Sequence, residues 1–193
     1  MTEVNPEVLA AGRCALERWH TAAEFTAKVE ELAKLVKSDK LFNLAGVGFL
    51  LDAMVLAEFT KFRPTENVHL VEQKEQWPDG QTGTPQKPID IEITEVLEDG
   101  RRRGDEYRNH QQPQDGTADD WRNRALAIPE QLEKAIQRKI GKGYAQKCIL
   151  LIYLNMSNYG VLQKETEEAI AKIKAKYARD FDEICILWQE KLL

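Results

Sequence analysis

At 193 residues, with 42% apolar and 31% charged residues, the chain is long enough for one hydrophobic core and is globular rather than disordered in composition. Its net charge of -5 provides no general field for nucleic acid. That weighs against a protein that binds nucleic acid by charge alone, but not against an enzyme whose metal ions supply positive charge.

The opening sixty residues read as helix. Val8, Leu9, Cys14, Leu16 and Trp19 recur at helical spacing, and Phe25, Val29, Leu32 and Val36 mark a second helix over Thr21 to Lys37. A third, from about Leu41 to Phe62, is apolar on most of its circumference. Asn43, Asp52 and Glu58 interrupt it, so it is expected as a buried core helix and not as a membrane span. After Pro64 the period changes to two, and Val68, Leu70 and Glu72 alternate with His69 and Val71 in a short strand. A turn-rich passage from Trp77-Pro78-Asp79-Gly80 to Pro88 is expected as a hairpin connection or an excursion at a sheet edge.

Ile89 to Val96 carries the clearest alternation in the chain. Asp90, Glu92 and Thr94 share one face of a strand, and Ile89, Ile91 and Ile93 share the other. Glu95 breaks the pattern, as at a strand end or bulge. Glu98 to Asp120 is polar and loop-like. Pro129 is placed to open a helix that runs to Gly141-Lys142-Gly143, where glycine can cap it. Lys147 to Leu154 predicts a central strand buried on both faces, Leu162 to Tyr177 an amphipathic helix, and Ile184 to Trp188 a final strand. The fold class expected is α/β, a mixed central sheet flanked by helices with an N-terminal helical extension.

A long helix, a strand, Pro78-Asp79, then Asp90-Ile91-Glu92-Ile93-Thr94, then a helix and a buried strand resembles the PD-(D/E)XK nuclease-like superfamily, from about Leu41 to Trp188. WPDG, IEITEV, GRRRGDEYR and LLIYLN also look like uncharacterised bacterial proteins of that kind. The resemblance implies a restriction-endonuclease-like core over 41–193 behind a helical extension over 1–40. It further implies a nuclease that binds Mg²⁺ or Mn²⁺ through Asp79 and Glu92. The position where the superfamily carries its lysine falls on Thr94, which has no charge to offer, so either another lysine serves or the chemistry is weakened or lost.

Carboxylates that converge on one point repel unless a hard cation lies between them, and Mg²⁺ prefers oxygen ligands. The plain alternative for Asp90, Glu92 and Thr94 is a polar strand face in water. Asp52, on the apolar third helix, needs a partner for its charge. It is either a salt-bridged structural residue or, as the resemblance implies, an accessory metal ligand beside Asp79, Glu92 and Glu95. Lys139 projects near the apolar stripe of Leu132, Ala135, Ile136 and Ile140. It either snorkels to an edge or replaces the cation missing at Thr94.

Arg101, Arg102, Arg103, Tyr107 and Arg108 can grip a phosphate backbone, although Asp105 and Glu106 can also pair them off internally. Trp121 with Arg122 and Arg124 forms a weaker patch. His20, His69 and His110 are scattered, which argues against zinc. Three cysteines, Cys14, Cys148 and Cys185, lack metal-like spacing, and the N-terminus has neither a basic nor a long apolar region. A cytoplasmic protein with no membrane partner is therefore expected. Two readings stand: a metal-dependent nuclease with nucleic acid as partner, or a non-catalytic interaction domain that dimerises through its N-terminal helices.

Overall fold

A computed structural model describes residues 5–36, 47–75, 77–100, 117–143 and 147–193. Among them the chain is α/β, with five helices and a mixed six-stranded sheet in the order β1-β2-β3-β4-β5-β6. It divides into two compact units between Ile93 and Thr94, inside strand β3 (Lys87–Val96).

In the first unit, helix α1 (Pro6–Leu16) starts where Asn5 caps it, the Asn5 side chain accepting from Glu7 N–H, with Pro6 in the first turn. Helix α2 (Ala22–Leu35) opens on a capping box between Thr21 and Glu24. Helix α2 buries the predicted Phe25, Val29 and Leu32, with Val36 buried at its C-cap. Of the residues expected on the α1 stripe only Leu9 and Leu16 are buried: Val8 and Cys14 are exposed and Trp19 lies beyond the helix end. Helix α3 (Gly48–Phe62) packs on α2 and buries Phe49, Leu50, Ala53, Val55, Leu56, Ala57 and Phe59, as its near-continuous apolar surface requires. The expected start near Leu41 falls outside the described residues.

Strands β1 (Asn67–Leu70) and β2 (Gly80–Thr84) and the first part of β3 form an antiparallel meander. Strand β2 corrects the sequence reading, which expected only a connection there. Gly80-Gln81-Thr82-Gly83-Thr84 has little intrinsic strand preference, but it is paired on both sides. The free edge of β1 is closed by the corner between α1 and α2: His20 and Val68 exchange backbone hydrogen bonds at 3.1 and 2.8 Å.

In the second unit, helix α4 (Ala118–Ile140) starts eleven residues earlier than Pro129 suggests (129 minus 118) and runs through that proline. Its start is set by a second capping box. Asp120 accepts from Thr117 N–H at 2.7 Å, and the Thr117 hydroxyl accepts from Asp120 N–H at 3.3 Å. Ala125, Ile128, Leu132, Ala135 and Ile136 form one buried stripe across Pro129, and that burial outweighs the lost backbone bond.

Strand β4 (Ile149–Leu154) is the buried strand expected, and it pairs in parallel with β5 (Glu183–Trp188) through the crossover helix α5 (Gln163–Lys176). A short strand β6 (Lys191–Leu192), absent from the sequence reading, folds back antiparallel on β5 after Gln189 and Glu190, both at positive φ. Cys148 and Cys185, inside the apolar runs of the second unit, are buried. Among the described residues no helix is long and apolar enough to cross a membrane.

Candidate functional site

The hairpin of β2 and β3 sets the position of the acidic residues in the first unit. Asp79 immediately precedes β2, where its N–H donates to Ile91 C=O at 3.1 Å and its C=O accepts from Val71 N–H at 3.2 Å. Gly80 is paired with Ile91, so one step further along the register sets Asp79 beside Glu92. The Asp79 carboxylate turns onto β3, where Oδ2 accepts from Ile93 N–H at 2.7 Å. The hairpin therefore brings Asp79 to the peptide that follows Glu92. Asp52, half-buried on α3, belongs to the same unit. Glu58, the other acid on the same helix, is in an exposed pair with Lys61 at 2.6 Å. Among the described residues no three His, Cys, Asp or Glu side chains are grouped so as to hold a metal ion.

The polar face of β3 does not simply face water. Glu92 is only 2% exposed, between Ile91 and Ile93, whereas Ile89 on the nominally apolar face is 42% exposed. The solvated-face alternative therefore fails at Glu92. Burial changes along the length of this strand as well as between its faces.

Next to Glu92 on the same face, a polar row missed in the sequence reading crosses all three strands. His69, Gln81 and Asp90 are register partners. Gln81 Nε2 donates to Asp90 Oδ1 at 2.7 Å, and its Oε1 lies 2.9 Å from His69 Nε2. His69 Nδ1 lies 3.2 Å from the Glu17 carbonyl, and the Trp19 ring packs on the imidazole with centroids 4.1 Å apart. The row ties the α1–α2 corner to the sheet and engages the Asp90 carboxylate. Period-two polarity in β1 was visible, but without β2 there was no partner to connect His69 with Asp90.

Glu95 and Lys139 belong to the second unit. Glu95 is half-buried and accepts from Asn155 Nδ2 at 3.1 Å. Lys139 is half-buried in the last turn of α4, where the helix dipole favours a cation. A cavity of about 690 Å³ is lined by Glu95, Glu98, Asp99, Gln131, Lys134 and Arg138, with two further glutamine and glycine positions and Leu97.

Lys134 spans this cavity's wall, pairing with Glu130 at 2.8 Å and Asp99 at 3.2 Å. Hydrogen bonds, first from Gln131 and then from Lys134, hold the Asp99 carboxyl below the usual carboxylate range. In turn Glu130 first, then Asp99, raise the Lys134 ammonium above its ordinary value. Arg124 is ion-paired with Glu98, which ties up one cation of the expected Trp121 patch. Arg101, Arg102, Arg103, Tyr107 and Arg108 lie outside the described residues. In comparisons with known proteins, no family model, curated protein or solved structure matches this chain.

Proposed function

We propose that the protein is a divalent-metal-dependent nuclease of the PD-(D/E)XK kind, with a restriction-endonuclease-like core. The observation that supports this reading is the β2–β3 hairpin, which carries the Asp79 carboxylate to the Ile93 N–H, one residue from Glu92. The donor set suits the cation: Mg²⁺ takes hard oxygen ligands and is commonly held by one or two carboxylates, with water and substrate phosphate completing its shell. Asp79 and Glu92 would hold it, with Asp52 of the same unit as the accessory acid. When bound, Mg²⁺ or Mn²⁺ polarises the phosphodiester and lowers the pKa of attacking water. Arg101, Arg102, Arg103, Tyr107 and Arg108 hold the nucleic-acid backbone.

Two features support a second reading, a catalytically silent relative acting as an interaction domain: Thr94 at the lysine position and a Glu92 shut off from solvent. A homodimer through α1 and α2 would have to use residues such as Val8 and Leu35, 43% and 50% exposed, because the main stripes of both helices are already buried in the single chain.

The test is cleavage of single- and double-stranded DNA and RNA with Mg²⁺ or Mn²⁺, for the wild type and Glu92→Gln. The expected result is cleavage of at least one form, abolished by chelator and by Glu92→Gln. No cleavage of any form, or cleavage unchanged by Glu92→Gln, overturns the nuclease reading.

A further inference from the structure

The carboxyl ends of parallel strands are where open α/β sheets bind ligands, because the loops that follow those strands are freed from the ladder there. In the second unit these ends are Leu154 of β4 and Trp188 of β5. The loop after β4, residues 155–162, is unusually constrained. Tyr159 and Leu162 lie in the left-handed region at φ 48° and 53°, and Gly160 at 82°. Tyrosine and leucine adopt that region at a steric penalty, since Cβ crowds the following carbonyl. Residues held this way concentrate at functional sites.

The conformation is enforced from below by Asn158, which is fully buried. Its Nδ2 donates to Val161 C=O at 2.7 Å, and its Oδ1 accepts from Gly160 N–H at 3.2 Å and from Gln189 Nε2 at 2.7 Å. Trp188 Nε1 donates to Met156 C=O at 2.8 Å and anchors the start of the same loop. This framework holds up the Tyr159 ring, which is 61% exposed. Behind it lies Trp121, from the first turn of α4, with ring centroids 4.9 Å apart and planes tilted by 40°. The indole N–H of Trp121 has no acceptor among the described residues, so ring contact and not a hydrogen bond seats this pair. Arg122, the next residue in the chain, is exposed.

An aromatic face propped by a second ring, on a loop held in the left-handed region by buried hydrogen bonds, is suited to receiving another flat ring. We infer that Tyr159 is a stacking platform for an unpaired base of single-stranded nucleic acid, with Trp121 as its backing. The substrate class rests on the nuclease reading, but the site itself rests on the loop and the ring pair. A base in a duplex has both faces already stacked, so the platform selects single strands or frayed ends.

The experiment is anisotropy of labelled oligo(dT) and oligo(U) binding to the full chain in chelator, where no metal-dependent cleavage can contribute. The variants are Tyr159→Phe, Tyr159→Ala and Tyr159→Asn, with a duplex of equal length as competitor. The wild type and Tyr159→Phe are expected to bind alike, and Tyr159→Ala to bind roughly 5- to 150-fold more weakly, the range for loss of one stacked base. Tyr159→Asn is expected to bind as weakly as alanine while unfolding at the same or a higher temperature, because asparagine tolerates the left-handed region. That combination separates a binding role from a structural one.

No binding of either oligonucleotide by the wild type, Tyr159→Ala binding like wild type, or duplex competing as well as single strand overturns the inference. Cleavage that does not depend on Tyr159 also refutes the platform while leaving the nuclease reading intact. Tyr159-dependent binding without cleavage under any metal supports the platform and removes the nuclease reading.

Discussion

A single methyl group added at Gly80 tests how the hairpin that carries Asp79 is seated. Gly80 has no side chain where β2 passes under α3. A Cβ placed there would stand 2.7 Å from Leu56 Cδ2 and 3.1 Å from the His69 carbonyl oxygen. Ordinary carbon–carbon contact is roughly 3.5–4.0 Å, so about 1 Å must be made up by movement of Leu56 or of the strand. Leu56 is fully buried, and Gly80 is paired with both Leu70 and Ile91, so neither yields freely.

Overpacking of this kind costs about 1–3 kcal/mol. In a chain of this size each kcal/mol lowers the thermal midpoint by roughly 2–4 °C. Gly80→Ala is therefore expected to unfold a few degrees below wild type by calorimetry, and also to disturb Asp79 next to it. Leu56→Ala makes room for the methyl group, so the double variant should lose less stability than the sum of the two single variants. Unchanged stability in Gly80→Ala, or strict additivity with Leu56→Ala, would refute the packing of β2 beneath α3.

Asp79 is expected to separate stability from chemistry. Asp79→Ala strips Ile93 N–H of a charged acceptor, a loss of about 1.5–3 kcal/mol, whereas Asp79→Asn keeps an oxygen at that position and loses less. On the proposed nuclease reading both remove the charge that would hold the metal, so cleavage should vanish equally in the two variants. The second capping box carries a pH signature. Hydrogen bonds, first from Thr117 N–H and then from its hydroxyl, hold the Asp120 carboxyl below its ordinary value. Its contribution is thus complete above the unfolded carboxylate range, near pH 4, and is lost as pH falls through the lowered folded value. The midpoint difference between wild type and Asp120→Asn should shrink as the pH is taken from about 5 to about 2. A constant difference would show that the box does not act through the carboxylate.

Local signals were legible wherever one segment determines its own structure. The stripe of α2, the apolar run of β4 and the amphipathic α5 all appear where their periodicity puts them, while α1 keeps only Leu9 and Leu16 of its expected stripe. Strand β2 was not legible, because Gly80 to Thr84 is a strand only through its two neighbours. Losing it hid the connection from His69 through Gln81 to Asp90. The start of α4 was misread because Pro129 is the louder signal. The Thr117–Asp120 capping pattern was present in the sequence but lay in a stretch read as loop.

The candidate acids Asp79 and Glu92 could be picked out from residue type and spacing. The burial of Glu92 could not, since what covers a strand is tertiary. Tyr159 had no signal beyond Asn-Tyr-Gly, because a left-handed tyrosine is imposed by Asn158 and Gln189 from outside its own sequence.

The most direct measurement is Mn²⁺ binding, read by electron paramagnetic resonance in the presence of a non-hydrolysable oligonucleotide. The nuclease account expects saturable binding by the wild type that is lost in both Glu92→Gln and Asp79→Asn, while the two variants remain folded. Mn²⁺ binding that survives both substitutions, or no saturable binding by the folded wild type, would contradict it.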